Sequence, residues 1–272
     1  MKIPLAGVIG CPVGHSRSPV LHGTWLRQLG LAGQYVPLHV EADDLADVLR
    51  AMPRMGFVGA NVTVPHKEAA LALADDVSET ALRIGAANTL SFGPDGRIHA
   101  DNTDAYGFIA NLHQNAPAWQ PSRGSALVLG AGGAARAVIV ALQDAGVPAI
   151  YLSNRTAARA QGLAAEFGVT ALPWEDRAHV LQDVACVVNT TSLGMSGQPP
   201  LDIDLSALPA SALVTDIVYT PLETPLLARA RAKGCTVVDG LGMLLHQAVP
   251  GFERWFGTRP KVTDALRAAV LA

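Results

Sequence analysis

The most constraining feature of the sequence is the stretch Ser125–Arg136, which reads SALVLGAGGAAR. An apolar run leads into a glycine-rich turn, and a helix-forming segment follows at once. Gly130 permits a tight turn, Gly132 lets the backbone approach a pyrophosphate, and Ala135 is small enough for close packing of helix on strand. The alternative is a purely structural strand–helix turn, which the context disfavours. The motif predicts a dinucleotide-binding turn whose helix N-terminus faces an anion.

Near-continuous apolar strands, nearly all separated by helical patterns, dominate the chain from about residue 105 onward. Strands without polar alternation are typical of a parallel sheet that is covered by helices on both faces. We therefore expect an α/β fold with a Rossmann-type, doubly wound parallel sheet in this region. The predicted strands are Ala126–Leu129, Ala149–Ser153, Val169–Leu172, Ala185–Asn189, Leu213–Val218 and Thr236–Val238.

The first hundred residues alternate shorter strand and helix patterns, which predicts a separate α/β lobe. Ser18 and Pro19 are typical of a helix N-cap followed by proline at the first helical position. The turn signal Gly93-Pro94-Asp95-Gly96 predicts a hairpin. The strand candidates are Leu5–Ile9, Gln34–Val40, Gly59–Val64, Asn88–Phe92 and Arg97–Ala100, and the two C-terminal helices are Leu241–Trp255 and Thr263–Leu271.

The residues after the second strand of the Rossmann-type region distinguish NADP from NAD. An NAD site usually has a carboxylate there, about 20 residues after the glycines, which binds the ribose 2′-hydroxyl. This chain has Asn154-Arg155-Thr156 instead, with Arg159 one helical turn later. The arginines could simply be solvated charges. However, positive charge in a first helical turn interacts unfavourably with the helix dipole, which favours the presence of an anionic partner. Two guanidinium groups and a hydroxyl fit a 2′-phosphate, so NADP is the expected cofactor.

A lysine at the start of a predicted helix is the first candidate for proton chemistry. The segment Asn61–Lys67 runs from a strand into a helix that begins near Pro65. Asn61 and Thr63 share one face of the strand because side chains alternate. The helix dipole lowers the pKa of a lysine in a first turn and a nearby carboxylate raises it, so Lys67 could serve as an acid/base. Alone, it could equally be an ordinary surface lysine.

A polar cluster, Asp101-Asn102-Thr103-Asp104, closes the hairpin just before the Rossmann-type region. Such runs commonly form caps and turns, and Asp104 could cap the helix Ala105–Gln114. The position of the cluster, between the two predicted lobes, also makes Asp104 a candidate partner for Lys67.

Charge and residue spacing exclude several other classes of site. The formal net charge of −3 gives no indication of nucleic acid as a partner.

The three cysteines, Cys11, Cys186 and Cys235, form no CxxC pair and are expected to be core residues in a reduced compartment. His15, His66 and His246 lack metal-ligand spacing, so no metal site is expected, although His66 is an alternative base. No secretion signal or membrane span is expected, and the predicted location is cytoplasmic.

Seven short motifs are distributed over nearly the whole chain. They are His15–Pro19, Gly59–Lys67, Gly85–Thr89, Asp101–Asp104, Gly130–Ala134, Asn154–Thr156 and Gly240–Met243. In this order they resemble the shikimate dehydrogenase family. The resemblance implies reversible, NADP-dependent and metal-independent interconversion of shikimate and 3-dehydroshikimate, in the chorismate pathway to aromatic amino acids. It also implies that residues 1–104, completed by C-terminal helices 241–272, form the substrate-binding catalytic lobe, and that residues 105–240 bind NADP.

The resemblance also assigns roles to individual residues. Lys67 would be the acid/base, paired with Asp104. The substrate-binding residues would be Ser16, Ser18 and Tyr219 for the carboxylate and Thr63, Asn88, Asp104 and Gln247 for ring hydroxyls, with Asn61 alongside. The cofactor-binding residues would be Gly130, Ala131, Gly132, Gly133, Ala134, Asn154, Arg155, Thr156, Arg159, Ile217, Gly240 and Met243, with Glu79 beside them.

Two alternatives remain open. A quinate or aminoshikimate dehydrogenase shares the fold and the Lys67–Asp104 pair, although the absence of a carboxylate after the second Rossmann strand disfavours an enzyme that prefers NAD. A non-catalytic, NADP-binding regulator is the alternative outside the enzymes, and retention of Lys67 and Asp104 disfavours it. The predicted partners are small molecules only, and the chain would be a monomer or a homodimer.

Overall fold

Two six-stranded sheets, one in each of two units, form the framework of the chain. The computed structural model describes residues 3–272. The first unit comprises Met1–Thr103 and Leu245–Ala272, and the second comprises Asp104–Leu244. The α/β class predicted from the sequence is confirmed.

The sheet of the first unit is mixed. Its strand order is β2-β1-β3-β5-β6-β4; β1 is parallel to β2 and β3, whereas β5 is antiparallel to β3 and β6. The predicted hairpin is confirmed, and the N–H of Gly93 donates to the carbonyl of Arg97 at 2.9 Å across it. The strands are β1 Leu5–Gly10, β2 Gln34–His39, β3 Phe57–Val62, β4 Asp76–Val77, β5 Thr89–Phe92 and β6 Ile98–Asp101.

The first helix of this unit begins one residue earlier than the sequence indicates. Ser18 is its first residue rather than the N-cap, and Arg17 occupies the cap position. The hydroxyl of Ser16 accepts the N–H of Ser18 at 3.3 Å, so the Ser18 side chain is not needed as a cap and is buried instead. The helices are α1 Ser18–Leu29, α2 Leu45–Ala51, α3 Lys67–Ala72 and α4 Glu79–Ile84.

The second unit contains the predicted doubly wound parallel sheet. Its strand order is β12-β11-β10-β7-β8-β9, and every neighbouring pair is parallel. The strand order reverses between β7 and β10, which makes the carboxyl ends of these strands the topological switch point. The strands are β7 Ser125–Leu129, β8 Ile150–Ser153, β9 Thr170–Leu172, β10 Val184–Asn189, β11 Leu213–Asp216 and β12 Thr236–Val238; the helices are α5 Asp104–Asn115, α6 Gly133–Asp144, α7 Ala157–Phe167 and α8 Pro225–Ala232.

Strand β7 explains why this sheet is covered on both sides. Leu127, Val128 and Leu129 are consecutive, so they point to alternate faces, yet all are fully buried. Full burial of such a side chain stabilises a fold by about 1.5–3 kcal/mol. The absence of polar alternation in the sequence therefore reflects helices that pack on both faces.

The last two helices are α9 Leu241–Phe256 and α10 Asp264–Leu271. The unit boundary falls within α9, and its later part packs in the first unit. There the indole N–H of Trp255 donates to the carbonyl of Leu90 at 3.0 Å. A Cβ atom at Gly59 would lie only 1.9 Å from the indole nitrogen of Trp255, so this glycine permits the approach of α9 to β3. The later part of α9 therefore packs against β3 and β5.

The cysteines do not all behave as predicted. Cys186 and Cys235 are buried, but Cys11 is only partly buried because β1 ends at Gly10, one residue before it. Its expected core position is therefore wrong. Among the described residues, no helix combines the length and the apolar character that crossing a bilayer requires.

Candidate active site

A network of amide and hydroxyl groups forms around the end of β3 in the first unit. The Asn61 side-chain oxygen accepts a hydrogen bond from the Tyr35 hydroxyl at 2.7 Å. Its NH₂ group donates to the carbonyl of Asn88 and to the hydroxyl of Thr89, both at 3.1 Å. Because both ends of this buried amide bind protein groups, the structure supports a positioning role for Asn61 rather than direct contact with a substrate.

Asn88 is the centre of the network. Its side-chain oxygen accepts from the backbone N–H of Thr103 at 2.8 Å, from the hydroxyl of Thr103 at 3.1 Å and from the hydroxyl of Thr89 at 2.9 Å. Its NH₂ group donates to the side-chain oxygen of Gln247 at 3.3 Å. Two of the predicted contacts for ring hydroxyls, Asn88 and Gln247, are thus adjacent although they lie 159 positions apart in the sequence.

Lys67 lies in the first turn of α3, as the sequence predicts, although the helix begins at Lys67 itself and not near Pro65. The connection from β3 is fixed by two backbone bonds: Thr63 donates to Ile9 at 2.9 Å, and His66 donates to Thr63 at 3.0 Å. The carbonyl of Lys67 accepts the N–H of Ala87 at 2.9 Å, which holds it beside the segment that carries Asn88. The Lys67 side chain is half-buried.

The histidines near these residues have different environments. His66 is almost fully buried, and its Nε2 atom lies 2.7 Å from the carbonyl oxygen of Val40. This contact fixes the ring to the backbone and favours a structural role over that of an alternative base. His15 is exposed, and His246 is half-buried, with burial lowering its pKa.

The serines predicted to bind the carboxylate follow β1. Because β1 and β3 are parallel, the loop after β1 and the segment after β3 leave the sheet at the same edge. A Cβ atom at Gly10 would lie 2.6 Å from the Thr63 methyl group, which shows how closely the two segments approach. Ser16 is half-buried, and Ser18 is buried at the start of α1. Ser16, Ser18, Thr63 and Lys67 therefore belong to one edge of the sheet.

Asp104 directly follows Thr103 and is the first residue of both α5 and the second unit. It is buried, with 9% of its surface exposed. A carboxylate in a first helical turn interacts favourably with the helix dipole. This placement agrees with the cap-like role considered from the sequence, and the pairing of Asp104 with Lys67 stays a prediction.

The glycine-rich turn lies at the switch point of the second sheet. Gly130 has a φ of +108°, and a Cβ atom there would lie 2.6 Å from the hydroxyl of Thr190. A Cβ atom at Gly132 or Gly133 would meet nothing within 4 Å, so the space at the start of α6 is open. No side chain caps the N-terminus of α6. Open space beside uncapped helical N–H groups fits the pyrophosphate of a dinucleotide. Ala131 and Ala134, also predicted to line the cofactor, are half-buried in the same turn.

Sequence reasoning did not single out the residues after β10, which face this turn. The N–H and the hydroxyl of Thr190 both donate to the carbonyl of Leu129, at 2.8 and 2.7 Å. The hydroxyl of Thr191 donates to the side-chain oxygen of Asn189 at 2.7 Å. The signal was present as the polar run Asn189–Ser192, which follows a fully apolar strand.

The predicted phosphate-binding residues lie between β8 and α7. Thr156 is the N-cap residue of α7, and the Asn154 NH₂ group donates to its carbonyl at 3.0 Å. Arg155 and Arg159 are exposed. Within residues 3–272 neither arginine forms an ion pair with a carboxylate, in contrast to Arg136, which pairs with Glu166. Two accessible guanidinium groups fit a 2′-phosphate.

The remaining predicted cofactor residues of the second unit follow β11 and β12. A Cβ atom at Gly240 would lie 2.2 Å from the carbonyl oxygen of Ile217, so the two backbones touch only because residue 240 is glycine. Asp216 accepts the N–H of Val218 at 3.0 Å and stabilises this turn, and burial raises the pKa of its carboxyl. Met243 is buried in α9.

Tyr219 and Glu79 are the remaining predicted site residues. Tyr219 is half-buried in the segment that follows β11. Glu79 is exposed at the start of α4, where the hydroxyl of Ser78 accepts the N–H of Ala81 at 3.1 Å. The roles assigned to Tyr219 and Glu79 stay predictions.

Three protein-family models match the chain. They describe a shikimate dehydrogenase substrate binding domain at residues 8–90, shikimate / quinate 5-dehydrogenase at residues 114–195, and a shikimate 5′-dehydrogenase C-terminal domain at residues 240–271. Shikimate dehydrogenase (NADP(+)) from Paracoccus denitrificans is 64% identical over 271 residues, which are 99% of this chain and 96% of the relative.

Solved structures agree with these matches. A shikimate 5-dehydrogenase from Thermus thermophilus, in complex with NADP(H) and shikimate, is 39% identical with a TM-score of 0.88 over 98% of both chains. A quinate dehydrogenase from Corynebacterium glutamicum, in complex with NAD, is 34% identical with a TM-score of 0.91 over 98% of both chains. The polar edge of the first sheet, the glycine turn of the second and these full-length similarities agree, and the chain belongs to the shikimate dehydrogenase family.

Proposed function

We propose that this chain catalyses the reversible NADPH-dependent reduction of 3-dehydroshikimate to shikimate. The observation that carries the proposal is the position of Lys67, whose backbone is bound to Ala87, next to the Asn88–Gln247 amide pair. A cationic proton donor beside amides that bind hydroxyl groups is the arrangement that a polyhydroxylated ketone requires. Relatives at 60–64% identity carry the name shikimate dehydrogenase (NADP(+)).

Substrate recognition is divided between hydroxyl and amide groups. Ser16 and Ser18 lie at the edge of the sheet in the first unit and would donate hydrogen bonds to the substrate carboxylate, with Tyr219 as a third hydroxyl. Thr63, Asn88 and Gln247 would bind the ring hydroxyls, because amides and hydroxyls both donate and accept. Asn61 would act indirectly by fixing Asn88 and Thr89.

Lys67 would carry the proton. In the direction of reduction, its ammonium group would donate a proton to the ketone oxygen as that oxygen becomes a hydroxyl; in oxidation, the neutral amine would take the proton back. Asp104 would hydrogen-bond the substrate and hold the Lys67 ammonium by charge. NADPH, when bound, supplies the hydride that reduces the ketone carbon.

The second unit would bind the cofactor. Gly130–Ala134 would receive the pyrophosphate, Asn154–Thr156 and Arg159 would bind the 2′-phosphate, and Ile217, Gly240 and Met243 would line the nicotinamide end. Glu79 would lie beside the cofactor. The first unit would bind the substrate, as predicted for the N-terminal lobe.

A second candidate function is the oxidation of quinate with NAD. The similarity to a quinate dehydrogenase in complex with NAD, at a TM-score of 0.91, is the observation that favours it. The residues after β8 disfavour this function. They include Arg155 and Arg159 but no carboxylate that could bind the ribose 2′-hydroxyl of NAD.

Initial rates on a substrate panel test these functions. Shikimate, quinate and aminoshikimate would each be oxidised with NADP⁺ and with NAD⁺, and kcat/KM compared. We expect the highest value for shikimate with NADP⁺. A higher value for quinate with NAD⁺ would establish the second candidate, and NADP⁺ binding without turnover of any substrate would identify a non-catalytic regulator.

Oligomeric state and location remain predictions. We infer a monomer or a homodimer in the cytoplasm, since the proposed chemistry uses only diffusible small molecules. Light scattering after size exclusion and fractionation of cells would check the two statements.

A further inference from the structure

Three potential ligand groups converge at the ends of two neighbouring strands, β1 and β2, and none of them belongs to the proposed substrate or cofactor residues. Gly10 and His39 are register partners at the last positions of β1 and β2, which brings Cys11 and Glu41 together just beyond them. The Cys11 sulfur lies 3.7 Å from His39 Nε2 and donates to Glu41 Oε2 at 3.4 Å. His39 Nε2 is 3.0 Å from Glu41 Oε1.

We propose that Cys11, His39 and Glu41 bind a divalent transition-metal ion, and that zinc fits the site best. A thiolate, an imidazole and a carboxylate are all ligands of zinc. With the usual bond lengths, a tetrahedral zinc ion separates sulfur from nitrogen or oxygen by about 3.5 Å, and nitrogen from oxygen by about 3.3 Å. The sulfur–nitrogen separation of 3.7 Å is close to the first of these values. The Glu41 carboxylate presents Oε2 to sulfur and Oε1 to nitrogen, and one ligand atom from each residue lies within 4.8 Å of the other two. A rotation of this exposed carboxylate would therefore bring a single oxygen to the ion.

Other uses of the same residues explain the geometry less well. In a nucleophilic triad, the histidine binds the cysteine and the carboxylate through different ring nitrogens. Here both neighbours approach the same atom, His39 Nε2. A simple surface ion pair would account for His39 and Glu41 but not for the thiol beside them. Magnesium and calcium are excluded because they prefer all-oxygen ligand sets.

The backbone that carries the ligands is firmly held. The N–H of Cys11 donates to the carbonyl of Val64 at 3.2 Å, and the N–H of Val40 donates to Gly10 at 3.3 Å. The buried His66 ring contacts the carbonyl of Val40, the residue between the two other ligands, at 2.7 Å. Metal binding would therefore order only the three ligand side chains, which keeps its entropic cost low.

Three protein ligands leave one position of a tetrahedral ion open, and His39 and Glu41 are exposed. Water would fill that position, as in zinc sites with three protein ligands. Binding replaces the thiol proton of Cys11, which passes to solvent, so that one proton is released for each ion and no redox step occurs. The site does not use Lys67 or the cofactor residues, and its test is independent of turnover.

Metal titration of the full-length protein tests the proposal. Chelator-treated, untagged protein would be titrated with Zn²⁺ by calorimetry, and with Co²⁺ while absorption is recorded. We expect one Zn²⁺ per chain and a thiolate-to-cobalt charge-transfer band in the near ultraviolet. Cys11→Ser should abolish the band, and Cys11→Ser, His39→Gln and Glu41→Gln should each weaken Zn²⁺ binding by about 10–100-fold or more.

Matched controls come from the same chain. His99→Gln removes another surface histidine that pairs with a carboxylate, Asp76, at 3.1 Å but contacts no thiol within residues 3–272. This variant should leave Zn²⁺ binding unchanged. Circular dichroism would verify folding of each variant, and the three separate ligand variants keep the test decisive if one of them misfolds. Absence of Zn²⁺ binding to the wild-type chain, or binding that Cys11→Ser leaves unchanged, would overturn the proposal.

Discussion

The side-chain oxygen of Asn88 accepts both the backbone N–H and the hydroxyl of Thr103, at 2.8 and 3.1 Å. Thr103 immediately precedes Asp104, so this bond pair fixes the chain just before the proposed partner of Lys67. The same amide donates to Gln247 on α9. Asn88 therefore joins β5, the end of β6 and α9 through one side chain.

Replacement of Asn88 by alanine should destabilise the protein and impair catalysis together. The N–H of Thr103 would be left without its acceptor in a buried position, which lowers the free energy of unfolding by about 1–3 kcal/mol. Chemical denaturation and kcat/KM would measure the two effects. Gln28→Ala, at an exposed position on α1, is the control and should change stability by less than about 0.5 kcal/mol. Equal effects of the two substitutions would contradict the role of Asn88.

Lys67→Met should mainly reduce kcat. Methionine keeps the length and apolar body of the side chain but carries no proton, so kcat should fall by about 10²–10⁴ with little change in KM. Steady-state kinetics with shikimate and NADP⁺ would measure both constants. Lys261→Met, at an exposed position, is the control. A near-normal kcat for the Lys67 variant would remove it from the acid/base role.

The Rossmann-type unit was predictable because its determinants are local. Fully apolar strands indicate a sheet covered on both faces, and Gly130 is required by a positive φ and by contact with Thr190. Short or shifted features escaped prediction. Strand β4 has only two residues, and the cap of α1 moved by one position because the Ser16 hydroxyl binds the first helical N–H.

The candidate site was harder to predict because it depends on register and on long-range contacts. The sequence placed Asn61 on a polar strand face but could not show that its amide is bound by Tyr35 and Asn88. Cys11 was expected to be a core residue, since nothing local indicates its neighbours. His39 lies 28 positions away, and only the pairing of β1 with β2 brings the two side chains together.

A double change of Arg155 and Arg159 to alanine should affect the two nicotinamide cofactors differently. Charge-assisted hydrogen bonds contribute about 1.5–3 kcal/mol, so NADP⁺ binding should weaken by at least about 10–100-fold, whereas NAD⁺, which lacks the 2′-phosphate, should bind almost as before. Fluorescence titration would give both dissociation constants. Arg123→Ala, at another exposed position of the second unit, is the control. An equal loss of affinity for both cofactors would show that these arginines do not bind the 2′-phosphate.

The pH dependence of stability should carry a contribution from His22. This ring is fully buried and stacks on Tyr35 with 4.0 Å between centroids, and burial lowers its pKa to about 3. Below the unfolded value of about 6.5, only the unfolded chain binds the proton, so the free energy of unfolding falls as pH decreases towards 3. Between pH 7 and pH 5 this loss amounts to about 2 kcal/mol. His22→Phe keeps a stacked ring without a titratable group, so its unfolding by urea should be less pH-dependent by that amount. The same dependence in the variant and the wild type would mean that His22 is not the group responsible.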